Sequence, residues 1–322
     1  MQEAKRIIVT GATGLIGRAL CRDLIAHGYT VVVFSRDHQA ARVAGPGAER
    51  YVPWRIADAG SWAEYLDGAY GVVHLAGGSI FTWGKRQTRE SVSAETQSRI
   101  RAIGGLVNAM AAAQTRPQVF VAASSVGIYG FDGLSDTEYT ESSAPGADFW
   151  GQTSLRWEEA AQASEAIDVR AVCMRFGYVL GMEPHSGLAQ QVEQFCRGYG
   201  GRVGSGKQWQ PWIHVADAAG LIRFALEESL VENGLNATAP EPLRNRDFTR
   251  ALAAAVGKSA RMMTPGFLLR MWLGVTADTI LYGRCVPPRK ALDLGYAFQF
   301  ATLEAALRDL LQAPDSAKPL SS

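Results

Sequence analysis

The sequence predicts an α/β fold in which a doubly wound parallel sheet carries a smaller C-terminal lobe. Apolar, β-branched runs alternate with stretches of helical periodicity through the first 180 residues, as expected for repeated strand–helix–strand units. The first strand meets the first helix in a glycine-rich turn, and after Gly187 the alternation gives way to an irregular, glycine-rich texture. We therefore expect one domain over residues 1–180, a lobe over residues 181–322, and a return of residues 213–240 to the first domain.

The first strand, turn and helix form the strongest local signal. An apolar run at residues 7–10 leads into the spacing G-x-x-G-x-x-G, not the more common G-x-G-x-x-G, and the following helix stops near Gly28. Glycines at such a turn let the backbone approach a pyrophosphate, whose charge is met by the amides of the helix N-terminus. The pattern predicts a Rossmann-type dinucleotide-binding domain. Its predicted cofactor contacts on this turn are Gly11, Thr13, Gly14, Leu15, Ile16 and Gly17.

The end of the second strand, residues 30–34, indicates which nicotinamide cofactor is preferred. Proteins that prefer NAD usually place a carboxylate there to hold the ribose 2′-hydroxyl, whereas this chain has Ser35 and Arg36. An arginine at this point favours the 2′-phosphate of NADP(H), although it could also be a solvated loop residue, and Asp37 lies beside it. A third strand over residues 51–54 is followed by Asp58, a candidate neighbour of the adenine.

The fourth strand, residues 71–74, runs into Leu75, Ala76 and Gly77, and small residues at a strand end leave room for a cofactor. His74 is interpreted as a hydrogen-bonded core histidine. The polar and cationic segment 81–90 is either a mobile flap or plain surface, and it supplies Trp83 as a candidate substrate contact. A helix over residues 100–113 then crosses to a fifth strand at 119–123.

Two serines, Ser124 and Ser125, end the fifth strand. They are placed either to hydrogen-bond a substrate oxygen near the nicotinamide or to cap the turn that follows. A helix over 155–166 and a sixth strand over 169–174 come next. Further cofactor contacts are predicted where that strand ends, at Arg175, Phe176 and Gly177, together with Ser124.

The second half combines short helices, at 192–196, 248–256 and 302–311, with a strand-to-turn segment at 236–242. Its glycine-rich loop at 198–209 sets aromatic beside cationic residues. Such a loop could close over an anionic or polar ligand, or it could be irregular surface. We take Tyr178, Lys207 and Trp209 as candidate substrate contacts, and interpret His214 as part of a helix start.

Composition limits the classes of partner. The formal net charge is +1 with both signs mixed along the chain, so no basic stripe predicts nucleic-acid binding. The four cysteines lack metal-binding or disulfide spacing, which predicts reduced thiols and no metal site. No apolar segment is long enough to span a bilayer. We expect a cytoplasmic monomer or homodimer that acts on an anionic or sugar-like small molecule.

With these motifs in view, the chain resembles the extended short-chain dehydrogenase/reductase superfamily. More narrowly, it is similar to an atypical epimerase family whose members carry a C-terminal DUF1731 segment. The resemblance rests on residues 10–17, 74–77, 124–125 with 129–130, 175–181, 200–209, 211–217, 236–242, 287–292 and 294–296. It implies NADP(H) binding in the first domain and a substrate lobe that includes the DUF1731-like segment. It also implies that Ser125 takes the place of the superfamily's substrate-orienting serine.

One departure from the superfamily decides what can be expected of the chemistry. Typical members use a Tyr-x-x-x-Lys pair for proton transfer, but no lysine here has a tyrosine four residues before it. Aligned on Trp157 and Glu158, Trp150 and Ser154 occupy the two places, and neither serves as an acid or base near neutral pH.

Tyr129 lies near Ser125 in sequence and is an alternative proton donor, although in relatives its position is often structural. Lys207 and His214 are further candidate donors, and His214 also fits a structural role at a helix start. Two hypotheses follow, an NADP(H)-dependent oxidoreductase or epimerase-like enzyme and a non-catalytic NADPH-binding sensor or scaffold.

Overall fold

A seven-stranded parallel sheet lies at the centre of the computed structural model, which describes residues 4–43, 45, 47–77, 86–184 and 186–312. In chain order the strands are β1 (Arg6–Thr10), β2 (Thr30–Ser35), β3 (Arg50–Pro53), β4 (Gly71–His74), β5 (Val119–Ser125), β6 (Arg170–Phe176), β7 (Tyr178–Leu180), β8 (Gly201–Val203), β9 (Trp212–His214), β10 (Asn233–Ala237) and β11 (Met262–Thr264). The helices are α1 (Leu15–Ala26), α2 (His38–Val43), α3 (Arg89–Ala112), α4 (Phe149–Gln162), α5 (Gly187–Cys196), α6 (Val215–Glu227), α7 (Asn245–Ala255), α8 (Gly266–Leu273), α9 (Ala277–Leu281), α10 (Arg289–Asp293) and α11 (Leu303–Gln312).

The strand order β10-β6-β5-β4-β1-β2-β3 confirms the predicted doubly wound Rossmann-type sheet. The chain moves outwards from β1 in both directions, so Ile7 pairs with Val31 on one side and with Gly71 on the other. The point between β1 and β4 is therefore a topological switch, at whose carboxyl edge open α/β sheets bind ligands.

Side chains alternate between the two faces of the sheet along each strand, and a buried core covers each face. Ile7 and Val9 pack with Leu20 and Leu24 of α1 in one core, where α1 also lies against α6. Ile8 faces the opposite core, which includes Leu106 of α3. This double coverage explains the continuous apolar runs of the strands.

The C-terminal lobe has its own smaller core, formed where α5, α7 and α11 meet. Phe195, Phe248 and Leu307 are buried there. Short two-stranded sheets, β8–β11 and β7–β9, complete the lobe. Within the segment expected to return to the first domain, α6 packs on α1 and β10 pairs with β6 at the sheet edge.

Several element boundaries differ from expectation. The helix expected to start at residue 100 starts at Arg89, because Thr88 and Ser91 form a reciprocal capping box. The helix expected at 155–166 is α4, which starts earlier, at Phe149, and ends at Gln162. It starts there because Asp148 is its N-cap and accepts a hydrogen bond from Gly151 N at 2.8 Å. The strand expected near 236–242 is β10, which begins at Asn233.

Candidate cofactor and substrate site

The β1–α1 turn is shaped around its glycines. Gly11 has a φ of +73°, and a Cβ there would lie 2.6 Å from the carbonyl carbon of Leu75. A Cβ on Gly17 would lie 2.2 Å from the carbonyl oxygen of Gly11. The turn therefore packs backbone on backbone, both within itself and against the end of β4. Among the residue types, only glycine permits backbone packing this close.

The N-terminus of α1 opens at this turn. Its N-cap is Gly14, whose amide donates to Gly11 O at 3.1 Å. The amides of Leu15, Ile16 and Gly17 belong to the first helical turn, where no intrahelical acceptor exists. These donors and the helix dipole fit the pyrophosphate of a dinucleotide.

Thr10 fixes the ends of β1 and β4 relative to each other. Its Oγ1 lies 2.8 Å from His74 Nδ1 and accepts from Ala76 N at 3.1 Å. His74 is buried, and burial lowers its pKa to about 3, with Arg99 contributing in the same direction. The neutral ring is therefore a hydrogen-bonded core group at the carboxyl edge of the sheet.

The end of β2 presents Ser35 and the exposed Arg36. Ser35 Oγ donates to Asp37 O at 3.1 Å, and the Asp37 carboxylate accepts from Ala40 N at 2.9 Å in the first turn of α2. Asp37 therefore acts as a helix cap, and Arg36 beside it is exposed.

The remaining predicted cofactor residues also lie at or after the carboxyl ends of parallel strands. Leu75, Ala76 and Gly77 follow β4, and Ser124 is the last residue but one of β5. Phe176 is the last residue of β6, and Gly177 follows it. Asp58 is exposed in the connection after β3. Trp83 lies outside the described residues.

A cavity of about 920 Å³ extends between this edge and the C-terminal lobe. Of the predicted site residues, those that line it are Ser124, Ser125, Phe176, Gly177, Tyr178 and Trp209. The sequence analysis placed Trp150 and Ser154 where a Tyr-x-x-x-Lys pair would stand, and both line the cavity from α4. The cavity wall thus offers an indole and a hydroxyl where the superfamily has a phenol and an ammonium.

Ser125 presents its hydroxyl at the cavity. Its Oγ accepts from Gly127 N at 3.0 Å, which leaves the O–H to donate to a ligand oxygen. Ser125 Oγ and Ser154 Oγ lie 3.2 and 3.4 Å from the point where a Cβ on Gly127 would stand. The two hydroxyls therefore border the same small space.

Ser124, in contrast, belongs to a buried polar network. Its Oγ donates to Glu158 Oε1 at 2.6 Å, and Arg175 donates to both oxygens of that carboxylate at 3.0 and 2.8 Å. Arg175 Nη1 also donates to the hydroxyl of Tyr129 at 2.8 Å, which donates in turn to Asn236 Oδ1 at 2.7 Å. The predicted cofactor residue Arg175 is thus held within the protein by Glu158.

Tyr129 does not join the cavity. It is 2% exposed, and burial raises its pKa to about 12 although Arg175 acts in the opposite direction. Its hydroxyl has both an acceptor and a donor as partners, so its geometry is that of a structural link between β10 and the core of the sheet. The network continues through Asn236 Nδ2, which donates to Pro287 O at 3.1 Å and ties the C-terminal segment to the sheet.

We expect Tyr129→Phe to lower stability without changing cofactor binding. Without the Tyr129 hydroxyl, Arg175 and Asn236 each lose a hydrogen-bond partner, and the free energy of unfolding falls by about 1–3 kcal/mol. Urea unfolding and NADPH titration measure the two effects, with the exposed Tyr199→Phe as control. Unchanged stability together with lost turnover would instead make Tyr129 a proton donor.

Lys207 lies apart from the cavity lining. It borders a separate depression of about 290 Å³, together with Asp136, Arg244 and Arg246. Arg244 connects the two surfaces, since its guanidinium lies 3.8 Å from the ring centroid of Trp209.

Arg99 is a cavity residue that the sequence analysis missed. It lies on α3, three residues after buried Thr96 and four before buried Ile103. Its helical spacing from these two residues places it on the buried face of α3, and the sequence could have indicated this. The expected helix started one residue too late to include it.

Three comparisons with known proteins show which proteins this chain is similar to. A family model described as NAD dependent epimerase/dehydratase family matches residues 7–236, and one described as Domain of unknown function (DUF1731) matches residues 264–310. A protein of Arabidopsis thaliana, named Epimerase family protein SDR39U1 homolog, chloroplastic, is 34% identical over 95% of this chain and 86% of its own length.

Two solved structures extend the comparison. The crystal structure of human epimerase family protein SDR39U1 (isoform2) with NADPH has a TM-score of 0.83 and 31% identity, covering 96% of this chain and 99% of that one. The UDP-glucose 4-epimerase of Thermotoga maritima with UDP-glucose has a TM-score of 0.75 over 95% of this chain and 97% of that one. At 18% identity, the second likeness concerns the fold alone.

Proposed function

The chain belongs to the NAD dependent epimerase/dehydratase family, and we propose that it is an NADP(H)-binding oxidoreductase or epimerase-like enzyme acting on a small molecule. The family and DUF1731 matches confirm the resemblance seen in the motifs. The observation that carries the proposal is the close-packed turn of Gly11 and Gly17 at the N-terminus of α1, at the carboxyl edge of the sheet where a cavity of about 920 Å³ also opens.

The cofactor contacts of the proposal follow from the strand ends. The amides at the start of α1 hold the pyrophosphate, and Arg36 pairs with the 2′-phosphate. Leu75, Ala76 and Gly77 form the floor on the far side of the switch point. When bound, NADP(H) supplies or accepts a hydride.

Within the cavity, Ser125 orients a substrate carbonyl by donating its O–H to the carbonyl oxygen. Hydride addition to a carbonyl carbon leaves an oxyanion, and the proton that completes the alcohol comes from water. Ser125 and Ser154 are the hydroxyls that hold that water at the reacting oxygen, because no Tyr-x-x-x-Lys pair stands there.

We expect NADPH to bind this protein more tightly than NADH, and Arg36→Ala to remove the preference. Loss of one charge-assisted contact to the 2′-phosphate weakens NADPH about tenfold or more and leaves NADH unchanged. Fluorescence titration measures both, and Arg156→Ala, an exposed change on α4, is the matched control.

A screen of carbonyl compounds with NADPH then separates the two hypotheses. Substrate-dependent oxidation of NADPH that Ser125→Ala abolishes would support the enzyme. NADPH binding with no turnover on any compound would favour the sensor or scaffold, and no binding of either cofactor to folded protein would remove both.

Location and assembly stay predictions. No helix within the described ranges is long and apolar enough to cross a membrane. A cytoplasmic location and a monomeric or homodimeric state are expectations from sequence, and the oligomeric state is measurable by sedimentation.

A further inference from the structure

The wall of the large cavity is unusually aromatic. Six rings line it, those of Phe131, Trp150, Trp157, Phe176, Tyr178 and Trp209. Among the described lining residues none is Asp or Glu, and Arg99 is the one charged side chain. A site of this size and composition suits a ligand with a large apolar face.

Several buried polar atoms of the same wall lack a hydrogen-bond partner among the described residues. They are Trp157 Nε1, Tyr178 OH, Gln191 Oε1 and Trp209 Nε1. Buried polar atoms are nearly always paired, so such a group in one cavity points to a ligand. Both indole N–H groups can only donate and the phenol can donate, which matches a ligand rich in acceptor oxygens.

Arg99 adds a positive charge to this donor set. Its guanidinium lies 4.4 Å from the ring centroid of Trp157 and beside Gly77, which follows the end of β4. Burial lowers the pKa of Arg99, while Glu95 acts in the opposite direction. A buried cation gains strongly from an anion placed against it, because water screens the pair poorly there.

The amide groups of the lobe wall do not offer many acceptors. Asn245 Oδ1 accepts from Val203 N at 2.9 Å, and Gln210 Oε1 accepts from Asn245 Nδ2 at 2.8 Å. A sugar ring carries several hydroxyl hydrogens that need acceptors, usually carboxylates or unengaged amides. Gln191 Oε1 is the one buried amide oxygen of the described lining that lacks a partner, so the wall offers such a ring few acceptors.

We infer that the cavity takes a substrate with a flat aromatic or conjugated body and one acidic group, a carboxylate or its like, set against Arg99. The inference rests on the proposed function, since it names the substrate class of that site. The aromatic rings cover the body of the molecule, and the indole and phenol donors meet its oxygens.

Two dyes that differ by one acidic group test the inference. 1-Anilinonaphthalene-8-sulfonate carries a sulfonate, and N-phenyl-1-naphthylamine has the same aromatic body without it. Each is titrated by fluorescence into protein saturated with NADP⁺, so that the cofactor site is filled. We expect the sulfonate dye to bind about tenfold or more tightly than the neutral dye.

Variants locate the effect. Arg99→Gln should remove the preference for the sulfonate while leaving the neutral dye within about twofold, and Arg99→Lys should retain much of it. Arg101→Gln, an exposed arginine on α3, is the matched control for charge. Trp272→Ala, a 56% exposed aromatic on α8, controls for dye bound at the surface.

Several outcomes would overturn the inference. They are equal binding of the two dyes, a signal lost in Trp272→Ala, displacement of the dye by UDP-glucose at lower concentration than by naphthoate, or a preference unchanged in Arg99→Gln. An Arg99→Gln variant that loses NADPH binding and keeps the dye preference would place Arg99 in the cofactor site. NADPH titration on the same samples distinguishes failure of this inference from failure of the proposed function. Only wild-type protein that does not bind NADPH counts against the proposed function.

Discussion

Replacing Arg175 by methionine is expected to destabilise the protein by about 3–5 kcal/mol, because it strands a carboxylate in the interior. The side chains of Arg175 and Glu158 are only 9% and 3% exposed, and two hydrogen bonds of 3.0 and 2.8 Å join them. Without the guanidinium, the Glu158 carboxylate keeps, among the described residues, the hydrogen bond that Ser124 Oγ donates to its Oε1, and that neutral donor does not balance the charge. Methionine fills much of the vacated volume, so charge and not cavity formation dominates the loss.

The measurement is the shift of the urea midpoint, followed by both circular dichroism and tryptophan fluorescence. Arg308→Met is the matched control, because its partner Glu304 forms an exposed pair at 2.8 Å on α11, with side chains 61% and 83% exposed. We expect that control to cost at most about 1 kcal/mol. The double variant Arg175→Met, Glu158→Leu should recover most of the loss. Equal effects of Arg175→Met and Arg308→Met would show that the buried pair does not stabilise the contact between α4 and β6.

The central sheet was predictable because its signals are local. Apolar runs such as residues 7–10 and 119–123 identify strands regardless of what packs on them, and the glycine turn fixes how the first strand meets its helix. Helix α3 was half missed, since its first ten residues are mostly polar and depend on the Thr88 cap and on tertiary contacts of Val92. Periodicity alone does not reveal such a start.

The candidate site shows a different limit. Sequence motifs brought Ser125, Phe176 and Tyr178 to one cavity, because they lie at the ends of adjacent or neighbouring strands. The motifs also suggested Tyr129 and Lys207. The Tyr129 hydroxyl bonds Asn236 in the interior, and Lys207 borders the separate depression. Spacing along a chain fixes which edge of the sheet a residue reaches, but the partner it finds there, such as Arg175 for Tyr129, depends on residues far apart in sequence.

The second large effect is expected for Gly17→Ala, where one added methyl group meets backbone. Its Cβ would lie 2.2 Å from Gly11 O and 2.7 Å from Ala12 Cα, separations that no side-chain rotation can relieve. The β1–α1 turn must shift, which costs about 3 kcal/mol and moves the first-turn amides of α1 away from the pyrophosphate. We expect NADPH affinity to fall by roughly a hundredfold or more in protein that still folds.

Gly104→Ala is the matched control, since it adds the same methyl group inside α3 where nothing lies within 4 Å. That change should raise stability by about 0.5–1 kcal/mol, because alanine loses less backbone entropy than glycine in a helix. Circular dichroism and the urea midpoint report folding, and NADPH titration reports the site. If folded Gly17→Ala protein bound NADPH as tightly as wild type, the close backbone packing of the turn would not be what shapes the cofactor site. If folded Gly17→Ala protein loses NADPH affinity while Gly104→Ala protein keeps it, the packing of the β1–α1 turn is required for cofactor binding.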